Sequence, residues 1–272
     1  MTMPIDLVLV RHGQSEQNLA SHFAKNGDSS LYTEAFRRRH GGQHRLTAKG
    51  RMQAKAAGKW LRENDLGYFD RRYVSAYTRA METAGLLNLD GPDWMADPLL
   101  REREWGDFDN IPHDERVVKS EESMAMRDTD PFFWIPPNGE SVAQLTVRLR
   151  SVLDTLHREC SDRRVVIVCH GEVMLAFRFL LERMSIEQWV QLQKSNKPGE
   201  KIFNCQVLHY TRRDPQSGEL SAHLDWVSSI SPADPSNNGD GWQKITRKRF
   251  SNLELLQAAE QVEHLFPGHE GY

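Results

Sequence analysis

Two short apolar runs constrain this chain more than anything else in it. One is Leu7 to Val10, and the other lies within Arg164 to Cys169, RVVIVC. Both are rich in β-branched residues and lack polar alternation, the pattern of strands buried on both faces in a parallel sheet. The first stops at Arg11-His12-Gly13 and the second at His170-Gly171. In open α/β sheets, ligands bind beyond the carboxyl ends of the strands, so both His-Gly pairs are expected on one edge. An Arg-His-Gly triplet alone is a weak signal; the same ending at two distant junctions is a stronger one. Gly13 is expected to allow a tight turn and leave room for a ligand. A cation, an imidazole and the small hydrogen-bonding groups of Ser15 and Asn18 at one strand end suit a phosphate ester.

With 272 residues the chain has room for one large domain or two small ones and for a substantial core. Its net charge of −3 argues against a general nucleic-acid or membrane-surface binder, so a phosphate site must be a local concentration of cations. No apolar run approaches a membrane span, and the start MTMPIDLVLV lacks a basic leader. Cys160, Cys169 and Cys205 show no CxxC spacing, which predicts reduced thiols in a cytoplasmic protein. Cys169, inside an apolar run, is expected to be buried.

Taken in order, the polar stretch at about 19–45 is long for a connection in an α/β domain and reads as an insertion. It carries Arg37-Arg38-Arg39-His40. Either this run is a solvated face, or the segment is a lid whose arginines take a second anionic group of the substrate. The lid reading rests on position, between the first histidine loop and a helix capped by Thr47. That helix is expected to bury Met52, Ala56, Trp60 and Leu61. Arg72 to Ser75 reads as a strand passing into a helix with Ala80, Thr83, Ala84 and Leu87 at helical spacing. Arg79 falls at this junction, where it either reinforces an anion site made by free amides or, the commoner case by position alone, is a surface arginine in the first turn. A charged stretch with Trp105 and Phe108 comes next, turning at Gly106. Residues 111–137 read as irregular, with Asp130 to Ile135, DPFFWI, covering a core or a pocket. Ser141 and Gln144 form a capping box for a helix that buries Val142, Leu145, Leu149, Val152, Leu153 and Leu156. Beyond about 204, a hairpin around Asp214–Gly218 precedes a helix from Ser251 to about His264.

Five motifs in this order resemble the histidine phosphatase superfamily, which is phosphoglycerate mutase-like. They are Arg11-His12-Gly13 with Ser15 and Asn18; Leu46-Thr47 through Gly50 to Gln53-Ala54; Ser75 with Arg79-Ala80 and Thr83-Ala84; Leu100-Arg101-Glu102 with Gly106; and His170-Gly171. Gly139-Glu140-Ser141 also looks like the family's. The resemblance spans about Ile5 to Leu181. It implies a three-layer α/β/α sandwich with a mostly parallel central sheet, a single domain over 1–272 with the insertion and a C-terminal hairpin plus helix. It implies phosphoryl transfer through a phosphohistidine on His12, with Arg11, Arg79 and His170 holding the phosphoryl group. Ser15, Asn18 and Gly171 would complete the phosphate site. Glu102 would be the proton donor, because it follows Leu-x and precedes Gly106 by four; Glu104 is the competing acid. No cofactor or metal is implied, and the expected partner is a small phosphorylated substrate.

The chemistry agrees with these roles. A neutral imidazole can attack phosphorus, and the phosphoramidate formed is labile enough to hydrolyse. Guanidinium forks match the equatorial oxygens, and a protonated His170 would add a donor. The leaving alkoxide needs a proton from a carboxylic acid whose pKa is raised by burial, for which Trp105 and Phe108 could form the wall. Two departures weigh against a mutase. Glu172 stands where cofactor-dependent phosphoglycerate mutases have asparagine, and their paired arginines are missing, with Arg116 and Arg127 standing singly. A phosphatase is therefore favoured over a mutase and over a non-catalytic phospho-ligand-binding relative. Metal ligation by His12 and His170 is disfavoured, since adjacent arginines would repel a dication.

Overall fold

The computed structural model describes residues 2–265, so the expected tail to 272 lies partly outside the described residues. The elements run β1 (Asp6–Arg11), α1 (Glu16–Lys25), α2 (Glu34–Arg38), α3 (Ala48–Glu63), β2 (Arg71–Ser75), α4 (Thr78–Leu87) and β3 (Met95–Asp97). Then come α5 (His113–Lys119), α6 (Glu121–Thr129), α7 (Val142–Glu159), β4 (Arg164–Cys169), α8 (Gly171–Glu182) and α9 (Ile186–Lys194). The chain ends with β5 (Val207–Thr211), β6 (Trp226–Ile230), β7 (Gln243–Lys244) and α10 (Asn252–Glu260). The strands form one sheet in the order β3-β2-β4-β1-β5-β6-β7. Strands β3, β2, β4 and β1 are parallel, and β5, β6 and β7 continue the sheet antiparallel.

The three layers arise from the two-residue period of a strand. Leu7 and Leu9 of β1 face one way, with Val165, Ile167 and Cys169 of β4, and pack under α7 and α8. Val8 and Val10 face the other way, with Val166 and Val168, and pack under α3 and α4. Both central strands are thus covered on both faces, which is why they carry no polar alternation. The α7 stripe is as expected, with Leu153 only partly buried.

Helix α3 does begin after Thr47, whose side chain accepts from the Gly50 amide. Its buried face differs in part from the expected one: Leu61 is buried and Ala56 and Trp60 partly so, but Met52 is exposed and Ala54, Ala57 and Gly58 are buried instead. The reason is close approach. A Cβ on Gly58 would run into the Leu87 carbonyl of α4, so small residues, not large ones, form the contact. Residues 111–137 are also not irregular throughout. Helices α5 and α6 form there, each with acids in the first turn and a base in the last, complementing the helix dipole. They bury too little to leave an apolar stripe in the sequence: α6 buries Met124 and α5 nothing. Phe132 and Trp134 are buried while Phe133 is exposed, so DPFFWI covers core with alternate residues.

The segment at 19–45 holds most of α1, all of α2 and a 3-10 turn at Gly41–Gln43. The C-terminal hairpin forms, with Val207 opposite Ile230 and Thr211 opposite Trp226. Helix α10 starts at the expected Ser251–Glu254 capping box and ends at Glu260, short of His264. Among the described residues, no helix is long and apolar enough to cross a membrane.

Candidate active site

Strands β1 and β4 pair in parallel with Arg11 opposite Cys169, so the residues after each leave the sheet side by side. The His12 amide donates to the Cys169 carbonyl at 3.0 Å, and the rings of His12 and His170 lie 5.1 Å apart. The two His-Gly endings do meet on one edge. The third contribution comes from β2, on the far side of β4. It ends in Ser75, and the helix after it, α4, brings in Arg79, only 3% exposed. A cavity of about 200 Å³ opens here, lined by Arg11, His12, Asn18, Arg79, Glu102 and Arg116 among others. The helices α4 and α8 both begin here without a side-chain cap, leaving their first amides to favour an anion.

His12 is held in one tautomer. Its Nδ1 lies 2.7 Å from the Gly13 carbonyl oxygen, which can only accept, so Nδ1 carries the proton and Nε2 keeps its lone pair. Burial, and then the charges of Arg79 and Arg11, hold the imidazole pKa well below the usual histidine value. The ring is therefore a neutral base at physiological pH. Arg79 donates through Nε to that Nε2 at 3.2 Å and through Nη1 to the Gly41 carbonyl at 2.6 Å. Arg11 donates through Nη1 to the Ile202 carbonyl at 2.7 Å, and its buried Nε has no partner.

His170 differs from the protonated donor that the sequence suggested. Burial, with Arg79, His12 and Arg11 nearby, keeps it neutral as well. Its Nε2 lies 2.8 Å from Ser75 Oγ, while the buried Nδ1 has no partner, and the fully buried ring touches His12 without itself lining the cavity. With the serine hydroxyl donating to Nε2, Nδ1 carries the one proton that His170 can offer.

Three of the expected site residues serve in other ways. Ser15 is fully buried as the N-cap of α1, accepting from the Asn18 amide, and it does not line the cavity. Gly171 does not line it either; its missing side chain makes room for Arg11, whose Nε would lie 3.3 Å from a Cβ there. Gly13 is needed less for a ligand than for packing, because a Cβ on it would strike the Gly50 carbonyl of α3. Asn18 does line the cavity. Its Oδ1 accepts from the Ser15 amide and from Asn204 Nδ2 at 3.0 Å, which turns its own NH₂ group outward as a donor. Asn204 also donates to the His12 carbonyl at 3.1 Å. Sequence reasoning passed over Asn204, which only the fold brings back to the loop after β1.

The two candidate acids have different surroundings. Glu104 accepts from Tyr77 Oη at 3.0 Å and from Arg101 Nε at 3.2 Å, so it is engaged as an ion pair. Among the described residues, Glu102 accepts only from the Arg103 amide. Burial first, and the neighbouring Glu172 carboxylate second, push its pKa up to about 7 against the pull of Arg79 and Arg11. The expected wall is thus incomplete as an explanation: Phe108 sits in a separate cluster with Trp134, and a like charge supplies the second push. Glu172 itself has a buried Oε2 without a hydrogen-bond partner, 3.5 Å from Arg103 Nη1. Glu172→Gln should therefore lower the Glu102 pKa below about 7. The high-pH fall in turnover would move to lower pH; an unmoved profile would remove Glu172 from this role.

The arginines sort themselves in an unexpected way. Arg37 pairs with Glu115, Arg39 with Glu16, and the exposed Arg38 with Glu34; none lines the cavity. The segment at 19–45 does border it, through Ser21, Tyr32 and Gly41. This geometry favours the solvated-face reading of the arginine run over a role in substrate choice. Instead α5 and α6 bring together Arg116 and Arg127, which lie 4.7 and 5.4 Å from the Trp105 ring centre. Residues that stand singly in the sequence thus converge on one indole. Serine at Arg37, Arg38 and Arg39 should leave KM unchanged on every substrate. Arg116→Met should raise KM about tenfold or more for a substrate with a second anionic group, as expected for a charged hydrogen bond. Steady-state kinetics on a diacid and a neutral aryl ester would check both.

The sequence model of the histidine phosphatase superfamily (branch 1) matches residues 7–198. The chain belongs to this superfamily. A 2,3-bisphosphoglycerate-dependent phosphoglycerate mutase from Azorhizobium caulinodans is 33% identical over 187 residues, 66% of this chain and 83% of the mutase. One from a Methylobacterium species is 32% identical and spans 80% of this chain and 97% of its own. Among solved structures, a mycobacterial glucosyl-3-phosphoglycerate phosphatase complexed with VO3 superimposes with a TM-score of 0.58 at 25% identity, covering 75% of this chain and 92% of its own. The alpha-ribazole phosphatase of Shigella flexneri gives 0.60 at 21% identity, over 80% and 96%, and shares the fold. This is the three-layer architecture expected of a phosphoglycerate mutase-like protein. The superfamily match stops short of β5 and β6, which nonetheless complete the same sheet.

Proposed function

We propose that this histidine phosphatase superfamily member hydrolyses a small phosphorylated metabolite through a phosphohistidine on His12, without a metal ion. The observation that carries the reading is the committed tautomer: Nδ1 is spent on Gly13, and Nε2 points its lone pair at Arg79. A bound phosphoryl group takes over the Arg79 and Arg11 donors, with Asn18 and His170 Nδ1 adding hydrogen bonds. His12 Nε2 then forms a bond to phosphorus as the ester oxygen leaves, and Glu102 gives that oxygen its proton. The resulting carboxylate takes a proton from water, whose oxygen displaces the histidine. Phosphate departs, and His12 returns neutral with Glu102 protonated. Arginine charge replaces the Lewis acid at the equatorial oxygens. Arg116, which lines the cavity beside Trp105 with Arg127 behind it on the same indole, supports a substrate with a second anionic group.

Support for a cytoplasmic setting comes from the cysteines, all three of which are buried free thiols. A second reading, a mutase that returns the phosphoryl group to substrate, draws on the same converging arginines and on the curated mutase relatives. A panel of phosphorylated metabolites, assayed for free phosphate and for isomerised product with EDTA present, decides between them. Free phosphate as the main product, insensitive to EDTA and inhibited by vanadate, is expected. Isomerisation that depends on a bisphosphate primer would establish the mutase, and loss with EDTA restored by zinc would overturn the metal-free mechanism.

A further inference from the structure

We propose that two copies of this chain associate by exchanging their C-terminal helices, with α10 of each seated in the groove beside α6 of the other. Helix α10 is well begun, since Ser251 and Glu254 form a full capping box. Among the described residues nothing covers it: every residue from 248 to 265 is exposed, including Leu253 at 63% and Leu256 at 62%. At 100° per residue, Leu253, Leu255, Leu256 and Ala259 share one side of the helix. Nine residues make a marginal helix in water, and such helices are held by packing of an apolar face.

The same chain carries an unfilled surface of matching character. A groove of about 630 Å³ runs between α6 and the segment after it, lined by Met126, Phe133, Trp134 and Ile135. Phe133 is 54% exposed and Ile135 50% exposed, on a segment whose alternate residues Phe132 and Trp134 anchor it in the core. The anchoring makes these exposed side chains a preformed wall. A helix laid in a hydrophobic groove is a common mode of recognition, read through residues three and four apart.

Charge fixes the choice of occupant. Glu122 and Asp130 border the groove, and Lys248 and Arg249 immediately precede α10. Among the described residues none of these four is in an ion pair, whereas Arg247, just before them, is tied to Asp225 at 2.6 Å. The basic lead-in of the helix thus complements the acidic rim of the groove. Among the described residues of the single chain helix and groove are both uncovered, and a second copy supplies each with the other. Reciprocal exchange is self-complementary and closes as a two-fold dimer, which leaves neither surface open. It buries two helix–groove contacts per pair.

Sedimentation of the full chain across the micromolar range tests this. The wild type should be a dimer, weakened by salt. Leu253→Glu with Leu256→Glu should weaken dimerisation at least about tenfold, as loss of central apolar anchors does. Phe133→Ser with Ile135→Ser should do the same from the groove side. All four positions are exposed, so near-UV circular dichroism should be unchanged in both variants. Mixing the two monomeric variants should give a heterodimer, because one intact helix then meets one intact groove. A wild type that stays monomeric, a helix variant that stays dimeric, or a mixture that forms no heterodimer would each overturn the exchange. A monomer in which groove substitution exposes α10 to hydrogen exchange would assign the groove to the chain's own helix.

Discussion

Replacing His12 by alanine should abolish phosphate release and phosphoenzyme formation together, by on the order of 10⁴–10⁶-fold, the scale seen when a covalent nucleophile is deleted. Nothing near it can substitute. Nε2 of His12 is the base that Arg79 faces, and His170 is tied through its own Nε2 to Ser75. The fold should survive, because the ring is neutral and its loss removes only a bond to the next residue's carbonyl and one acceptor of Arg79 Nε, whose Nη1 stays bound to the Gly41 carbonyl. Brief labelling with a phosphorylated substrate, followed by an alkaline quench that preserves phosphoramidates, measures the intermediate directly. Label retained in His12→Ala, or turnover retained with no label, would end the phosphohistidine mechanism.

Glu102→Gln should slow an alkyl phosphate by about 10²–10⁴-fold and an activated aryl phosphate far less, since the latter's leaving group needs little protonation. Equal losses would move the role to Glu104. The pH dependence has a definite sign. With its pKa at about 7, Glu102 is protonated below that value and loses the donor as pH rises through it. Turnover of the alkyl ester should therefore fall above about pH 7 in the wild type, and the glutamine variant should lack that limb. Stability has a related sign. The folded chain keeps a proton on Glu102 that an unfolded chain releases near 4.5, so this group's contribution falls as pH rises from about 4.5 to about 7. Thermal melts across that window should show the wild type losing more than Glu102→Gln. The paired acids with lowered pKa values, such as Asp6 and Glu82, are common to both proteins and cancel in the comparison.

Much of this site was legible in the sequence because it is built from strand ends. The apolar runs at Leu7–Val10 and Val165–Cys169 could be buried on both faces only at the centre of a parallel sheet. Once there, the residues after each strand must lie on the same edge, whatever the intervening length. Helix starts were equally readable, at Thr47, Ser141 and Ser251, because a cap is a local hydrogen bond between residues three apart. The sequence by itself therefore determined the two buried central strands, the meeting of the histidine pair and the helix starts, whereas Arg79 by position alone read more simply as a surface arginine, and only the fold buries it beside His12.

The tertiary structure decided what depends on neighbours distant in the chain. The tautomer of His12 has a local cause in Gly13, but its low basicity comes from burial and from Arg79. Glu172 acts on Glu102 across the site, and no spacing announces a like-charge pair formed by two separate loops. Asn204 reaches Asn18 only because β5 lies beside β1. The arginine run at 37–39 looked like a binding surface because charge density is visible in a sequence and pairing is not; Glu115, Glu16 and Glu34 neutralise it. Arg116 and Arg127 show the reverse, being separate in the chain and gathered on one indole by the packing of α5 and α6. Local hydrogen bonding and burial periodicity are written along the chain, whereas electrostatics in a closed site depends on which charges the fold leaves face to face.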